Sequence, residues 1–214
     1  MGAQGGGDSG DGITRRALIG AGSAFAAGFG VVSPVVAAER VGSVSSIAGK
    51  ATASGAAGAR DLSAGADVFL ADLIKTTTGT RADLQLGQRT RIMLGGATEL
   101  RIVRYLVDAG GEIDLMAGAI EFERTGKPAS SELRIRSAYG LIGVRGTKFF
   151  AGRSDGVFGV FVSKGVVALS GGGRTVEIKS GEGSGIREPG AQPSTPSVWA
   201  PERVKAALRR VRRG

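Results

Sequence analysis

The chain has no cysteine and no histidine among its 214 residues. The first absence excludes disulfides, thiol nucleophiles, thiolate zinc sites and an N-terminal lipidated cysteine. The second removes the Ser-His-Asp triad together with the commonest general base and the commonest metal ligand. Aromatic residues make up only 5% and charged residues 22%. An enzyme would have to work with carboxylates, and a metal centre with carboxylates and tyrosines. Glycine is abundant instead: its 38 residues are more than twice the usual share of about 7%. They follow no every-third-residue period, so collagen is excluded, and 42% apolar residues are too many for a wholly disordered chain.

The first twelve residues hold Gly, Asp8 and Asp11 and no apolar run. Thr14, Arg15 and Arg16 then lead into a glycine-diluted apolar stretch from Ala17 to Val36, closed by Ala37 and Ala38. A positive start, a weakly apolar middle and a small-residue exit form an export signal, and the adjacent arginines resemble a twin-arginine signal. Cleavage is expected after Ala38, which places the mature chain in the periplasm. The competing reading is an uncleaved anchor in the inner membrane, since residues 17–38 are long enough to span a bilayer.

Asp8 and Asp11 cancel Arg15 and Arg16, so the mature chain keeps the whole net charge of +9. Much of that charge is at the end, where Arg203, Lys205, Arg209, Arg210, Arg212 and Arg213 face a single acid, Glu202. Between Val41 and Ile186 the apolar residues alternate. Leu84/Leu86, Ile92/Leu94, Leu100/Ile102, Ile113/Leu115, Leu133/Ile135 and Val176/Ile178 each mark a short strand with one buried face. Gly-containing breaks separate them, and no helical period intervenes. The expected fold is therefore all-β, of many short strands. Gly42, Gly118, Gly140 and Gly165 each precede an apolar residue by two positions, a weak repeat near the size of a solenoid coil. A β-solenoid-like or twisted β-sandwich architecture is expected first, an ordinary barrel second.

One segment is distinctive: Ser137-Ala138-Tyr139-Gly140-Leu141-Ile142-Gly143-Val144-Arg145-Gly146-Thr147-Lys148-Phe149. It closely resembles the hallmark of the FecR domain, the periplasmic β module of iron-citrate-type regulators and of stand-alone exported proteins. Leu62 to Val68, Asp72 to Thr76, Gly118-Ala119-Ile120, Val160 to Val167 and Gly181-Glu182-Gly183 extend the resemblance over roughly residues 41–186. It implies a non-catalytic module that senses or transmits a signal, or scaffolds the envelope, through contact with an envelope protein. Members that regulate sigma factors carry a cytoplasmic helical region, whereas fourteen residues precede Arg15 here, so no direct sigma-factor contact is expected.

Within the motif, Gly140, Ile142, Gly143, Val144, Arg145, Gly146, Thr147 and Phe149 are expected to be mainly structural. Arg145 projects opposite to Val144, Gly146 suits a bulge, and Asp114, Glu121 and Glu123 are candidate partners for the guanidinium. Direct ligand binding by Arg145 is the competing reading. No cofactor is expected. An iron site would have to enlist Tyr105 or Tyr139 with carboxylates, and none is predicted. A cell-wall or carbohydrate binder is the alternative function, against which the scarcity of aromatics counts. A polysaccharide-acting enzyme, for which Asp67, Asp72 and Asp83 would be the carboxylates, ranks third.

The chain thus divides into 1–38, an N-terminal region with the signal; 39–187, the β domain; 188–200, a Pro/Ser linker; and 201–214, a basic tail. Pro201 opens a short helix in which Val204, Ala207, Leu208 and Val211 share one face. That helix either docks on the β body with Trp199 as anchor, or meets anionic lipid, or enters a partner's acidic groove. Trp199, Arg203, Arg209, Arg210, Arg212 and Arg213 are the contact candidates. Nucleic acid is not an expected partner of an exported chain.

Overall fold

The computed structural model describes residues 38–106, 109–126 and 132–212, with the side chain of Arg145 left aside. Arg15, Arg16, Arg213 and the apolar stretch to Val36 therefore lie outside the described residues, and Ala38 is the first of them. Among the described residues no helix is long and apolar enough to cross a membrane.

The alternating segments form strands as their period requires. In chain order they are β1 (Arg40–Ala48), β2 (Ala51–Gly55), β3 (Gly58–Leu62), β4 (Asp67–Phe69), β5 (Leu73–Thr76), β6 (Arg81–Leu86), β7 (Thr90–Leu94) and β8 (Glu99–Leu106). There follow β9 (Gly110–Ala117), β10 (Ala119–Arg124), β11 (Leu133–Ser137), β12 (Leu141–Ser154), β13 (Val157–Gly171), β14 (Arg174–Lys179), β15 (Glu182–Ile186), β16 (Ser197–Val198) and the helix α1 (Pro201–Arg209).

One hydrogen-bonded path runs β3-β2-β5-β8-β9-β11-β12-β10-β7-β6-β1-β4. Strand β12 joins its two halves: Leu141–Val144 pair with β11, and Lys148–Gly152 pair with β10. Strand β13 follows β12 along its length, passing β14 on one half and β15 on the other. Both halves give their inward side chains to one core, from Val44, Leu84 and Ile92 on one to Ile74, Ile102 and Ile135 on the other. Phe122 and Phe149, both fully buried, stack at 5.3 Å in it.

The fold is all-β with a single short helix, as the sequence pattern requires. The Gly repeat, however, does not mark stacked coils. Gly118 and Gly140 precede β10 and β12, but Gly42 and Gly165 lie inside β1 and β13. Among the described pairings only β9–β11 is parallel, whereas coils stacked in register would pair in parallel. Connections cross between the halves at β5–β6, β7–β8 and β9–β10, where buried threonines replace missing ladder bonds. The Thr98 N–H donates to Thr76 Oγ1 at 2.9 Å, the Thr76 hydroxyl to the Gly95 carbonyl at 2.7 Å, and the Ala119 N–H to Thr98 Oγ1 at 3.2 Å. These satisfy backbone groups that the corners would otherwise bury unpaired.

The distinctive motif lies where β12 leaves one half for the other. Register shifts between Arg145 and Phe149, and the backbone there is left-handed at Gly146 (φ 64°) and, opposite it, at Gly165 (φ 85°). Strands change sheets at such bulges. A Cβ on Gly165 would stand 2.8 Å from Thr147 Cγ2. Gly165→Ala is accordingly expected to lower unfolding free energy by about 2 kcal/mol or more in urea titration. Thr147→Val should leave it unchanged or raise it, because among the described residues the buried Thr147 hydroxyl has no hydrogen-bond partner to lose.

Candidate interaction surface

Ile142, Val144, Thr147 and Phe149 are buried, and a side chain at Gly143 would meet Glu132 and Ala168. The backbone of Arg145 pairs with Val166. Of the partners considered for Arg145, Glu121 is bound elsewhere, Glu123 pairs with Lys148 at 2.8 Å, and Asp114 lies 3.9 Å from Arg136.

The three candidate carboxylates do not form a catalytic pair. Asp72 is fully buried. It accepts from both terminal nitrogens of Arg60, and from the Phe69 N–H at 2.8 Å. Asp67 pairs with Arg40, and Asp83 with Arg91 and with the Ser46 hydroxyl. Each thus holds its own strand junction. The tyrosines are similarly occupied: Tyr105 donates to the Leu86 carbonyl at 3.0 Å, and Tyr139 stacks on Phe158 at 4.9 Å. Among the described residues no three Asp or Glu side chains group as a metal site.

The tail organises the most distinctive surface. Alternate residues of β10, β12 and β13 point away from the main core, and Ala119, Phe150 and Phe161 among them form a second apolar cluster. Helix α1 covers it with Ala207 and, in part, Val204 and Leu208, and the turn that follows adds Val211. Of the three roles considered for the tail, docking on the β body is the one the fold shows. Trp199 is 5% exposed, so it is not a free contact residue. Its ring stacks on Phe161 at 5.4 Å, with the Arg203 guanidinium 3.8 Å over its other side. Gly183 seats it, since any side chain there would strike the indole. The segment 188–200 is tied down as well, through β16 on β15 and the Ser184 hydroxyl donating to the Ser194 carbonyl at 2.7 Å.

Charge completes the dock. Glu121 on β10 is fully buried and accepts two hydrogen bonds from Arg212, the one from Nε at 2.6 Å, with Lys148 Nζ 3.7 Å away. That carboxylate, more than the opposing desolvation, holds the Arg212 guanidinium above its ordinary range. The stabilisation it contributes is complete below the unfolded value and is lost only in strong alkali. Arg203 pairs with Asp155 at 3.0 Å, and Arg81 donates to the Arg209 carbonyl at 3.0 Å. Sequence reading missed Glu121, Arg81 and Phe161 as partners of the tail. A pair such as Glu121 and Arg212, 91 residues apart, leaves no local signal.

A large mixed sheet folded on one core, with the three candidate carboxylates held at strand junctions, defines an all-β module. Residues 72–168, just under half of the chain, match the family model described as FecR protein. That span runs from the Asp72 anchor through the β12 corner into β13. Two crystal structures of a candidate anti-sigma factor from Parabacteroides distasonis ATCC 8503, at 2.50 and 1.65 Å resolution, share the fold, each with a TM-score of 0.54 and 16% identity. The similarity covers 64% of this chain and 63% and 64% of those chains, just under two thirds of their length. A comparison with curated proteins finds no match.

Proposed function

We propose that the chain is a non-catalytic, periplasmic FecR-type module that senses or transmits a signal through contact with an envelope protein. The match over residues 72–168 carries this reading, and the structural relatives, described as anti-sigma factors, support a regulatory role. The polar residues most suited to chemistry are committed to ion pairs at strand junctions, which suits a binding role better than turnover. A contact surface is available on β8 and β9, where Val103, Leu106 and Met116 are 39%, 55% and 51% exposed.

The export signal read at Arg15, Arg16 and Ala38 supplies the compartment in this reading. A sugar-binding role is less well served: among the described residues no aromatic ring is exposed, whereas sugar platforms need open rings.

A photocrosslinking side chain at Met116 in the full chain, expressed in a cell with a twin-arginine pathway, tests the proposal. The expected result is a soluble periplasmic protein beginning at Glu39 that traps one envelope protein. Retention in the cytoplasm, or release of sugars from a wall-polymer panel by the purified chain, would overturn it.

A further inference from the structure

Beside α1, against β13, β16 and the first residue of β6, runs an open groove of about 770 Å³, within the range of ligand sites. Phe161, Trp199, Val204 and Leu208 line it, and Val198, 79% exposed, forms its lip. Its charged lining is cationic throughout: Arg81, Lys205, Arg209 and Arg212, with no carboxylate. Two of these are occupied, Arg212 by Glu121 and Arg81 by the carbonyls of Thr80 and Arg209. The other two are not. The side chains of Lys205 and Arg209 are exposed and, among the described residues, make no hydrogen bond or ion pair.

Lys205 and Arg209 also stand four residues apart on one helix, the spacing at which like charges repel. An anion held between them would relieve that repulsion, and the apolar floor beside them would shelter a hydrocarbon chain. Long cationic side chains beside apolar surface suit the region where lipid head groups meet acyl chains.

We infer that this groove binds an anionic phospholipid of a bilayer, its phosphate between Lys205 and Arg209 and an acyl chain along Val198 and Leu208. Charge complementarity selects the occupant: the lining holds no carboxylate for a cation, and its two unpaired cations favour an anion. This goes beyond signalling by protein contact and stands or falls separately from it.

Trp199 is the only tryptophan in the chain, so its fluorescence reports on the groove alone. The full-length protein is titrated with vesicles of phosphatidylcholine containing phosphatidylglycerol brominated along its chains, with vesicles of brominated phosphatidylcholine alone, and with inorganic phosphate. Quenching is expected with the first only. A Lys205→Glu/Arg209→Glu double variant should raise the lipid concentration for half-quenching by roughly 30-fold, since each cation contributes about one kcal/mol. Arg210→Glu, outside the groove, should leave the titration close to that of the native chain. Circular dichroism checks that each variant keeps its fold. The N-terminal apolar segment is common to all these proteins, so the differences read the groove. Equal quenching by phosphatidylcholine, an equal effect of Arg210→Glu and the double variant, no quenching at all, or protection of Trp199 by an acidic amphipathic peptide but not by vesicles would each overturn the assignment.

Discussion

Asp72→Ala is expected to destabilise the domain by about 3 kcal/mol, lowering the thermal midpoint by roughly 10 °C for a chain of this size. The carboxylate is fully buried and is bound by Arg60 and by the Phe69 N–H. Removing it leaves the Phe69 N–H without its acceptor, and leaves the Arg60 guanidinium, whose side chain is 22% exposed, with only the Asp67 carbonyl at 3.1 Å and the Phe69 ring. It also frees the turn at Ala71, whose φ of 64° is costly for an alanine. Asp67→Ala supplies the contrast. Its pair with Arg40 is 47% and 59% exposed, and exposed pairs contribute below about 1 kcal/mol. Differential scanning calorimetry of both variants checks the ranking. Equal, small shifts would mean that Asp72 is not a structural anchor and would reopen its candidacy as a functional carboxylate.

The second large effect is expected at the tail. Arg212→Met leaves Glu121 buried with only Lys148 nearby, at 3.7 Å. Breaking a wholly buried pair from one side costs about 3–5 kcal/mol, but Arg212 is 41% exposed, so about 2 kcal/mol is the appropriate expectation. The helix has an escape from this cost: by lifting, it lets water reach Glu121. The predicted outcome is therefore local, with faster amide exchange and tryptic cleavage across residues 200–212 while the β body keeps its protection. Glu121→Gln/Arg212→Met should recover most of the loss, because the amide no longer buries a charge. Uniform loss of protection across β1–β15, or no gain from the double variant, would contradict a local dock held by this pair.

The same two sites show what could be read from the chain alone. Alternation at Leu84/Leu86, Ile92/Leu94 and Leu133/Ile135 located strands because a strand's side chains alternate whatever it packs against. The helical stripe Val204, Ala207, Leu208 and Val211 was legible for the same reason, a fixed local period. The motif around Val144 to Thr147 was recognisable too, and Gly146 was placed at a bulge, since left-handed backbone demands glycine. The opposite turn at Gly165 could not be paired with it from sequence, because register between β12 and β13 depends on contacts that no local spacing records.

Charged residues divide in the same way. Asp72 and Asp67 are equivalent letters in a sequence, and Asp83 differs from them in nothing that composition shows. Only folding buries one beside Arg60 and leaves another at the surface. Trp199 and the tail arginines looked alike as exposed contact residues. In the fold Trp199 is enclosed by Phe161, Gly183 and Arg203, Arg212 is spent on Glu121, and Lys205 and Arg209 remain open. The sequence by itself determined the strand-rich class, the basic amphipathic tail and the family resemblance, because each rests on local periods or a contiguous motif. The tertiary structure decided which face the tail covers, which carboxylates are anchors and which cations stay free. Those depend on pairs brought together across the whole chain, where burial sets the strength of every charge.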